Sequence, residues 1–225
     1  MPSRGIVWIL LLVAAVLAVW GAFQIDRPVR EAIVTAQGKN WKKSAEARFH
    51  GTVRKIGDWP PLMAAALVAL AIARAAKGRK WTRIIAAAMV ASTLAGIIAN
   101  SLRLTTGRTR PRESPKVEQA FHGPWHSEKR MWLIGNSGYN SFPSGHTATA
   151  FGFALVFLVA APLTGLVVTA GAVLVAWSSL AIGAHHPSDI VVSILLSAVV
   201  AWFVWKWMNG PGGVRLDRIL RMPSS

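Results

Sequence analysis

The chain has 225 residues, 53% of them hydrophobic and only 15% charged, with no cysteine. Soluble domains carry about 25% charged residues, so these figures exclude an ordinary soluble domain, and the missing cysteines exclude disulfides and thiolate metal sites. The net charge of +16 points to an anionic partner; the long apolar runs and the lack of a nucleic-acid motif favour lipid headgroups and a phosphorylated substrate over nucleic acid.

The apolar runs read in order as six spans. The first covers about Ile6–Phe23 and follows Arg4. It resembles a signal peptide but is long enough to span, and no small-x-small cleavage site follows, so a retained helix is expected. Gln24–Asp58 is polar and basic; Val29, Ala32, Ile33, Ala45, Phe49, Val53 and Ile56 suggest an amphipathic helix on the membrane surface, with a solvated loop as the alternative. The second span covers about Pro60–Ala76, with its prolines at the start, where a helix tolerates them. The third covers about Ile84–Leu102, the fourth Thr147–Ala161, the fifth Leu166–Ile182 and the sixth Ile190–Met208. Tryptophans 8, 20, 59, 81, 202, 205 and 207 lie within or near the span ends, as an interfacial belt requires. The expected fold is therefore all-α: a six-transmembrane-helix bundle, one membrane domain over residues 1–225, with an amphipathic interfacial segment between the first two spans.

The short loop Lys77-Gly78-Arg79-Lys80 is dense in positive charge and is expected in the cytoplasm. The end of span three, the start of span four and the end of span five then share the opposite face. Three polar clusters meet there: Arg103, Arg108, Arg110 and Arg112; Ser144-Gly145-His146 at a helix mouth; and His185 with Asp189. Ionisable groups at membrane spans are costly and usually functional. Arginine offers planar, permanently charged donors that suit phosphate. Amides at a helix N-terminus add more donors. One histidine can attack phosphorus while the other protonates the departing oxygen. Asp189, four residues after His185, either complements a helix dipole or holds the imidazole in one tautomer. No carboxylate cluster suits Mg²⁺ or Ca²⁺, and an arginine-rich shell would repel zinc, so no metal and no cofactor are expected.

These motifs resemble the type 2 phosphatidic acid phosphatase (PAP2) superfamily, whose pattern is Lys-x6-Arg-Pro, Pro-Ser-Gly-His and Ser-Arg-x5-His-x3-Asp. Here the first reads Arg103, six residues, Arg110-Pro111; the second is complete at Pro143–His146; the third reads Ser178-Ser179, five residues, His185, three residues, Asp189. The resemblance implies that His185 is the nucleophile of a phosphohistidine intermediate, that Asp189 orients it, and that His146 is the general acid. It implies that Arg103, Arg110, Ser144 and Gly145 hold the phosphate, without a metal, in a bacterial inner (cytoplasmic) membrane protein whose site faces the periplasm or outside. Two positions depart from the pattern: Arg103 replaces Lys, and Ser179 replaces Arg. Arg103 serving twice, or Arg108 swinging in, are the expected compensations, with a weakened site or a different phosphate group as the alternative, and Ser179→Arg is expected to preserve or raise hydrolysis.

Three functions follow from these residues. The first is a lipid phosphatase acting on a lipid phosphate or diphosphate in the bilayer. Undecaprenyl diphosphate leads by family analogy; phosphatidic acid, phosphatidylglycerophosphate and lipid A are alternatives. The second is a lipid phosphotransferase. The third is a non-catalytic lipid-binding or transport protein, against which His146, His185 and Asp189 all argue.

Overall fold

The computed structural model describes residues 4–37, 40–113, 121–127 and 130–219. Eight α-helices occur among them: α1 (Arg4–Ala36), α2 (Ala45–Ile56), α3 (Trp59–Ala75), α4 (Arg79–Thr106), α5 (Gly145–Ala160), α6 (Pro162–Ala181), α7 (Pro187–Met208) and α8 (Pro211–Ile219). The long connection before α5 holds one two-residue antiparallel pair, β1 (Trp125–His126) with β2 (Met131–Trp132). The fold is all-α and polytopic. Helices α1, α4, α6 and α7 are each long and apolar enough to cross a membrane; α2 and α3, bent by 56° at their junction, make a fifth such unit if taken together; α5 is a shorter apolar helix. At 16 residues, α5 is about 24 Å long.

The core lies between α4, α5 and α7, where Ala87, Ala88, Ala91, Ala95, Ala99 and Ala148 are all fully buried. Small side chains allow backbones to approach closely where hydrophobic burial gives no advantage over lipid. The buried hydroxyls on these helices bridge neighbours: Ser92 Oγ donates to the Thr149 carbonyl at 2.9 Å and Ser197 Oγ to the Ala148 carbonyl at 3.0 Å. Large apolar side chains such as Leu10, Trp20, Val68, Val167 and Phe203 face outward.

The largest boundary difference is at the first span. The first span does not stop at Phe23: α1 continues through Pro28 to Ala36. The polar residues beyond Phe23 are helical because one face is buried against the site, with Asp26 at 0% and Arg30 at 9% exposure. On the outer face Arg27 and Glu31 pair at 2.8 Å with i,i+4 spacing. The amphipathic segment is thus confined to α2, capped by Ser44 Oγ, which accepts from the Ala47 amide at 3.0 Å.

At one end of the bundle α4 and α6 finish, α5 and α7 begin, and α2 turns into α3. At the other end Asp217 of α8 pairs with Arg79 and Arg83 of α4.

Candidate active site

His185 lies in the short connection between α6 and α7, beside the Pro187 that opens α7. Its ring is 1% exposed. Nδ1–H donates to the Ser141 carbonyl at 2.8 Å, and Asp189 Oδ2 stands 3.5 Å from the same nitrogen. That assignment leaves Nε2 as the unprotonated nitrogen, and Nε2 is buried with no hydrogen-bond partner. Burial pushes the His185 imidazole down to about 4, against the hydrogen bond and charge of Asp189, with Arg110 and Arg54 adding to the depression. A neutral imidazole with an open Nε2 is a nucleophile at neutral pH.

Asp189 sits in the first turn of α7, fully buried. Its Oδ2 accepts from Ser141 Oγ at 2.5 Å and from the His186 amide at 2.8 Å. Its Oδ1 accepts from Arg108 Nη1. Ser141 therefore touches both members of the pair: its hydroxyl on Asp189, its carbonyl on His185.

Arg108 belongs to this buried support. Its side chain is 0% exposed and lies between two carboxylates, with Nη2 2.6 Å from Asp26 Oδ2 and Nη1 on Asp189. Nη1 also donates to Ser188 Oγ at 2.7 Å. The guanidinium stacks among Phe23, Phe121 and Phe142, with its carbon 4.9–5.7 Å from their ring centres. The expectation that Arg108 swings toward a phosphate is corrected on this geometry, because leaving would strand two buried carboxylates. Ser179 gives no compensation either: it is fully buried and its Oγ donates to the Val175 carbonyl within α6 at 3.0 Å.

The Ser144–His146 stretch opens α5. Ser144 Oγ accepts from the Thr147 amide at 3.4 Å and from Thr147 Oγ1 at 2.9 Å, while the Ser144 amide donates to the Asp189 carbonyl at 3.4 Å. The amides of Gly145 and His146 lie in the first turn, where helices leave donors without internal acceptors. Gly145 lies close to α4: a Cβ there would stand 3.0 Å from Asn100 Oδ1 and 3.5 Å from Arg103 Nη1. Arg103, in the last turn of α4, thus comes over the start of α5, with its Nε buried and unbonded. Arg110 is buried, with Nη2 donating to the Asn140 carbonyl at 3.4 Å. Arg103, Arg110 and His185 all act electrostatically on the His146 ring. The residues singled out from three distant stretches of sequence are thus one cluster.

Two more residues reach His146 from the α2–α3 corner. His146 Nε2 is 2.5 Å from Asp58 Oδ1, and Arg54 Nη2 is 3.3 Å from His146 Nδ1. Asp58 is the N-cap of α3 yet caps nothing with its side chain. An N-cap carboxylate accepts from the second or third amide of its helix; here those positions are Pro60 and Pro61, which have no N–H. The carboxylate is left for His146. That Asp-x-Pro-Pro order is the one sequence signal that marks Asp58. Arg54 carries none, being one of several basic residues in a basic stretch, and Asp26 and Ser141 come into play only through tertiary contact. His186 turns away toward the Thr109 carbonyl, 3.3 Å from Nε2. His122 and His126 stack on each other, and His126 is buried.

A small pocket adjoins His185, walled by Val29, Ile33 and Val34 of α1 together with Pro111 and Leu180. The arrangement can hold an anion between guanidiniums and helix amides, attack it from one buried imidazole, and pass a proton through a second.

Comparison with known proteins agrees in kind. A lipid A 1-phosphatase of Rhizobium johnstonii is 31% identical over 108 residues, 48% of this chain and 40% of the relative. A lipid A 1-phosphatase of Rhizobium etli is 29% identical over 48% of the chain and 42% of the relative. A putative undecaprenyl-diphosphatase of Escherichia coli is 32% identical over 47% of the chain and 50% of the relative. The chain thus spans at most half the length of these curated relatives. No solved structure gives a significant match. The family model of the PAP2 superfamily matches residues 84–212, more than half of the chain and all three motifs, and on that ground the protein belongs to the PAP2 superfamily.

Proposed function

We propose that this protein is a membrane lipid phosphatase that works through a phosphohistidine at His185. The observation that carries the reading is the His185 ring itself: Nδ1 held by Ser141 beside Asp189, Nε2 buried without a partner, in a cluster with Arg103, Arg110 and His146. In the first step the Nε2 lone pair attacks the terminal phosphorus and the bond from that phosphorus to the leaving oxygen breaks, the lipid's own oxygen in a monophosphate and the bridging oxygen in a diphosphate. His146, as imidazolium, keeps its Nε2–H on Asp58 and gives its Nδ1 proton to the leaving oxygen. In the second step His146 takes a proton from water, the hydroxide attacks phosphorus, the P–N bond breaks and inorganic phosphate leaves. Arg103, Arg110 and the Gly145 and His146 amides neutralise the phosphoryl oxygens, so the steps call on no metal ion.

The relatives' names cover a glycolipid 1-phosphate and a polyprenyl diphosphate, and both have a phosphate at the membrane surface. We place the substrate in that class, in a cytoplasmic membrane with the site facing away from the basic loop at Lys77. The test is phosphate release from lipid A, undecaprenyl diphosphate, phosphatidic acid and phosphatidylglycerophosphate by purified protein in detergent, with and without chelator. Release by the wild type that falls at least about 10³-fold in His185→Ala, and persists in chelator, supports the reading. Equal release by both proteins would defeat it. A phosphorylated acceptor in place of free phosphate would mark a phosphotransferase.

A further inference from the structure

The PAP2 pattern has an arginine where this chain has Ser179, and Ser179 is turned back on its own helix. No Lys or Arg lies between Met131 and Trp205, so α5, α6 and the start of α7 supply no replacement. The replacement must come from another element.

Helix α2 lies along the end of α6 that carries Ser179. His50 Nδ1 is 3.0 Å from Ser178 Oγ. Gly57 packs on Val175 so closely that a Cβ would stand 2.5 Å from its Cγ1. Arg54 is one turn after His50 and three residues before Gly57, on the same face. Its guanidinium enters the site, where Nη2 meets His146 Nδ1 at 3.3 Å. Its Nε is buried with no hydrogen-bond partner. Its charge acts on both His146 and His185.

Resting on the phosphatase reading, we propose that Arg54 is a phosphate-binding residue that supplies, from α2, the guanidinium the family carries at position 179. The chemistry fits the geometry. In the structure Arg54 Nη2 donates to an unprotonated His146 Nδ1 at 3.3 Å; once Nδ1 is protonated both groups are donors, and one phosphate oxygen between them accepts from both. The small, buried Ser179 leaves room for α2 to dock, so the substitution in α6 and the placement of Arg54 are two halves of one exchange. The same corner delivers Asp58 to His146, so α2 docking sets both a phosphate contact and the proton donor.

The test uses the full chain in detergent and two readouts: titration with inorganic phosphate by calorimetry, and kcat/KM for phosphate release from whichever lipid the wild type hydrolyses. Arg54→Gln is expected to weaken phosphate binding by about 10- to 100-fold, the loss of one charge-assisted contact, with a similar fall in kcat/KM and an unchanged melting temperature. Arg54→Lys, which keeps the charge but loses the fork, is expected to fall between the two and stands in if Arg54→Gln does not fold. Phosphate binding within twofold of wild type in Arg54→Gln, or in Arg54→Lys where it has to stand in, would overturn the proposal. A wild type that releases no phosphate from any lipid would defeat the phosphatase reading alone. The calorimetric comparison would still decide for or against Arg54.

Discussion

The site contains two histidine–aspartate pairs, and they differ in nearly every physical respect. His185 and Asp189 come from one turn of chain and are both 0% exposed in their side chains. Asp189 is bonded to Ser141, Arg108 and the His186 amide, so neither ring nor carboxylate has freedom to move. His146 and Asp58 come from helices far apart in sequence, meet in a single contact, and are 15% and 43% exposed. A nucleophile needs a fixed tautomer and an open nitrogen, which burial and a carbonyl partner provide. A general acid must regain its proton in each cycle, which requires access to water. The contrast suits the first pair to attack and the second to proton transfer.

That comparison can be broken by experiment. The largest effect is expected at the buried pair. Asp189→Asn leaves Arg108 with one carboxylate instead of two in a dry site; breaking a buried ion pair costs about 3–5 kcal/mol. Thermal unfolding in detergent should show the loss, together with a collapse of kcat/KM.

Next comes the pH response. His185 titrates near 4 in the fold against about 6.5 for a free imidazole. The unfolded chain therefore takes up a proton as pH falls through about 6.5, and the folded one does not until about 4. Acid should thus remove up to about 3 kcal/mol of stability across that window, and none from this group above it. The melting temperature of wild type should fall between pH 6.5 and 4, and the slope should flatten in His185→Gln. An equal slope in both would show that His185 is not the depressed group.

At the exposed pair the effects are smaller and kinetic. Asp58→Asn should leave the melting temperature nearly unchanged and lower kcat by roughly 10- to 100-fold, less than removal of a general acid. The loss should be greater for a lipid alkoxide leaving group than for p-nitrophenolate, which needs no proton. Uniform loss on both substrates would mean that Asp58 positions phosphate instead of serving His146. The smallest change is expected for Ser179→Arg. With Arg54 already in that place, a second guanidinium should lower kcat/KM by a few-fold at about 1 kcal/mol, the reverse of what the motif alone suggests. In an Arg54→Gln background the same change should raise it.

What could be read from the chain follows from this contrast. His185 and Asp189 sit at a fixed offset within one turn, and Arg103 with Arg110 and Ser144 with His146 are equally local, so spacing identifies them. The family pattern then brings the three stretches together. Asp26, Arg54 and Asp58 lie outside all three motifs. Asp26 looks like the polar edge of a span, and Arg54, four residues before Asp58, looks like one charge among many in a solvated face; only the docking of α1 and α2 brings them to the site. The same cause extends α1 past Phe23, since residues that read as polar are helical when one face is buried. Arg108 misleads in the opposite direction: it lies between Arg103 and Arg110 in sequence, yet three aromatic rings and two carboxylates enclose it.

Asp26 also bears on how the first helix is seated. From Ile6 to Trp20, α1 presents bulky apolar side chains outward, and such a surface would tolerate many rotational settings against lipid. Asp26 allows one. Its carboxylate takes the Ser188 amide at 2.8 Å, the Ser188 hydroxyl at 2.5 Å and Arg108 Nη2 at 2.6 Å. A rotation of about 100°, one residue's worth, would break all three at once. The carboxylate is a registration pin. It lets the outer half of α1 drift in sequence so long as it stays apolar, while the angle at which that helix meets the histidine cluster stays locked.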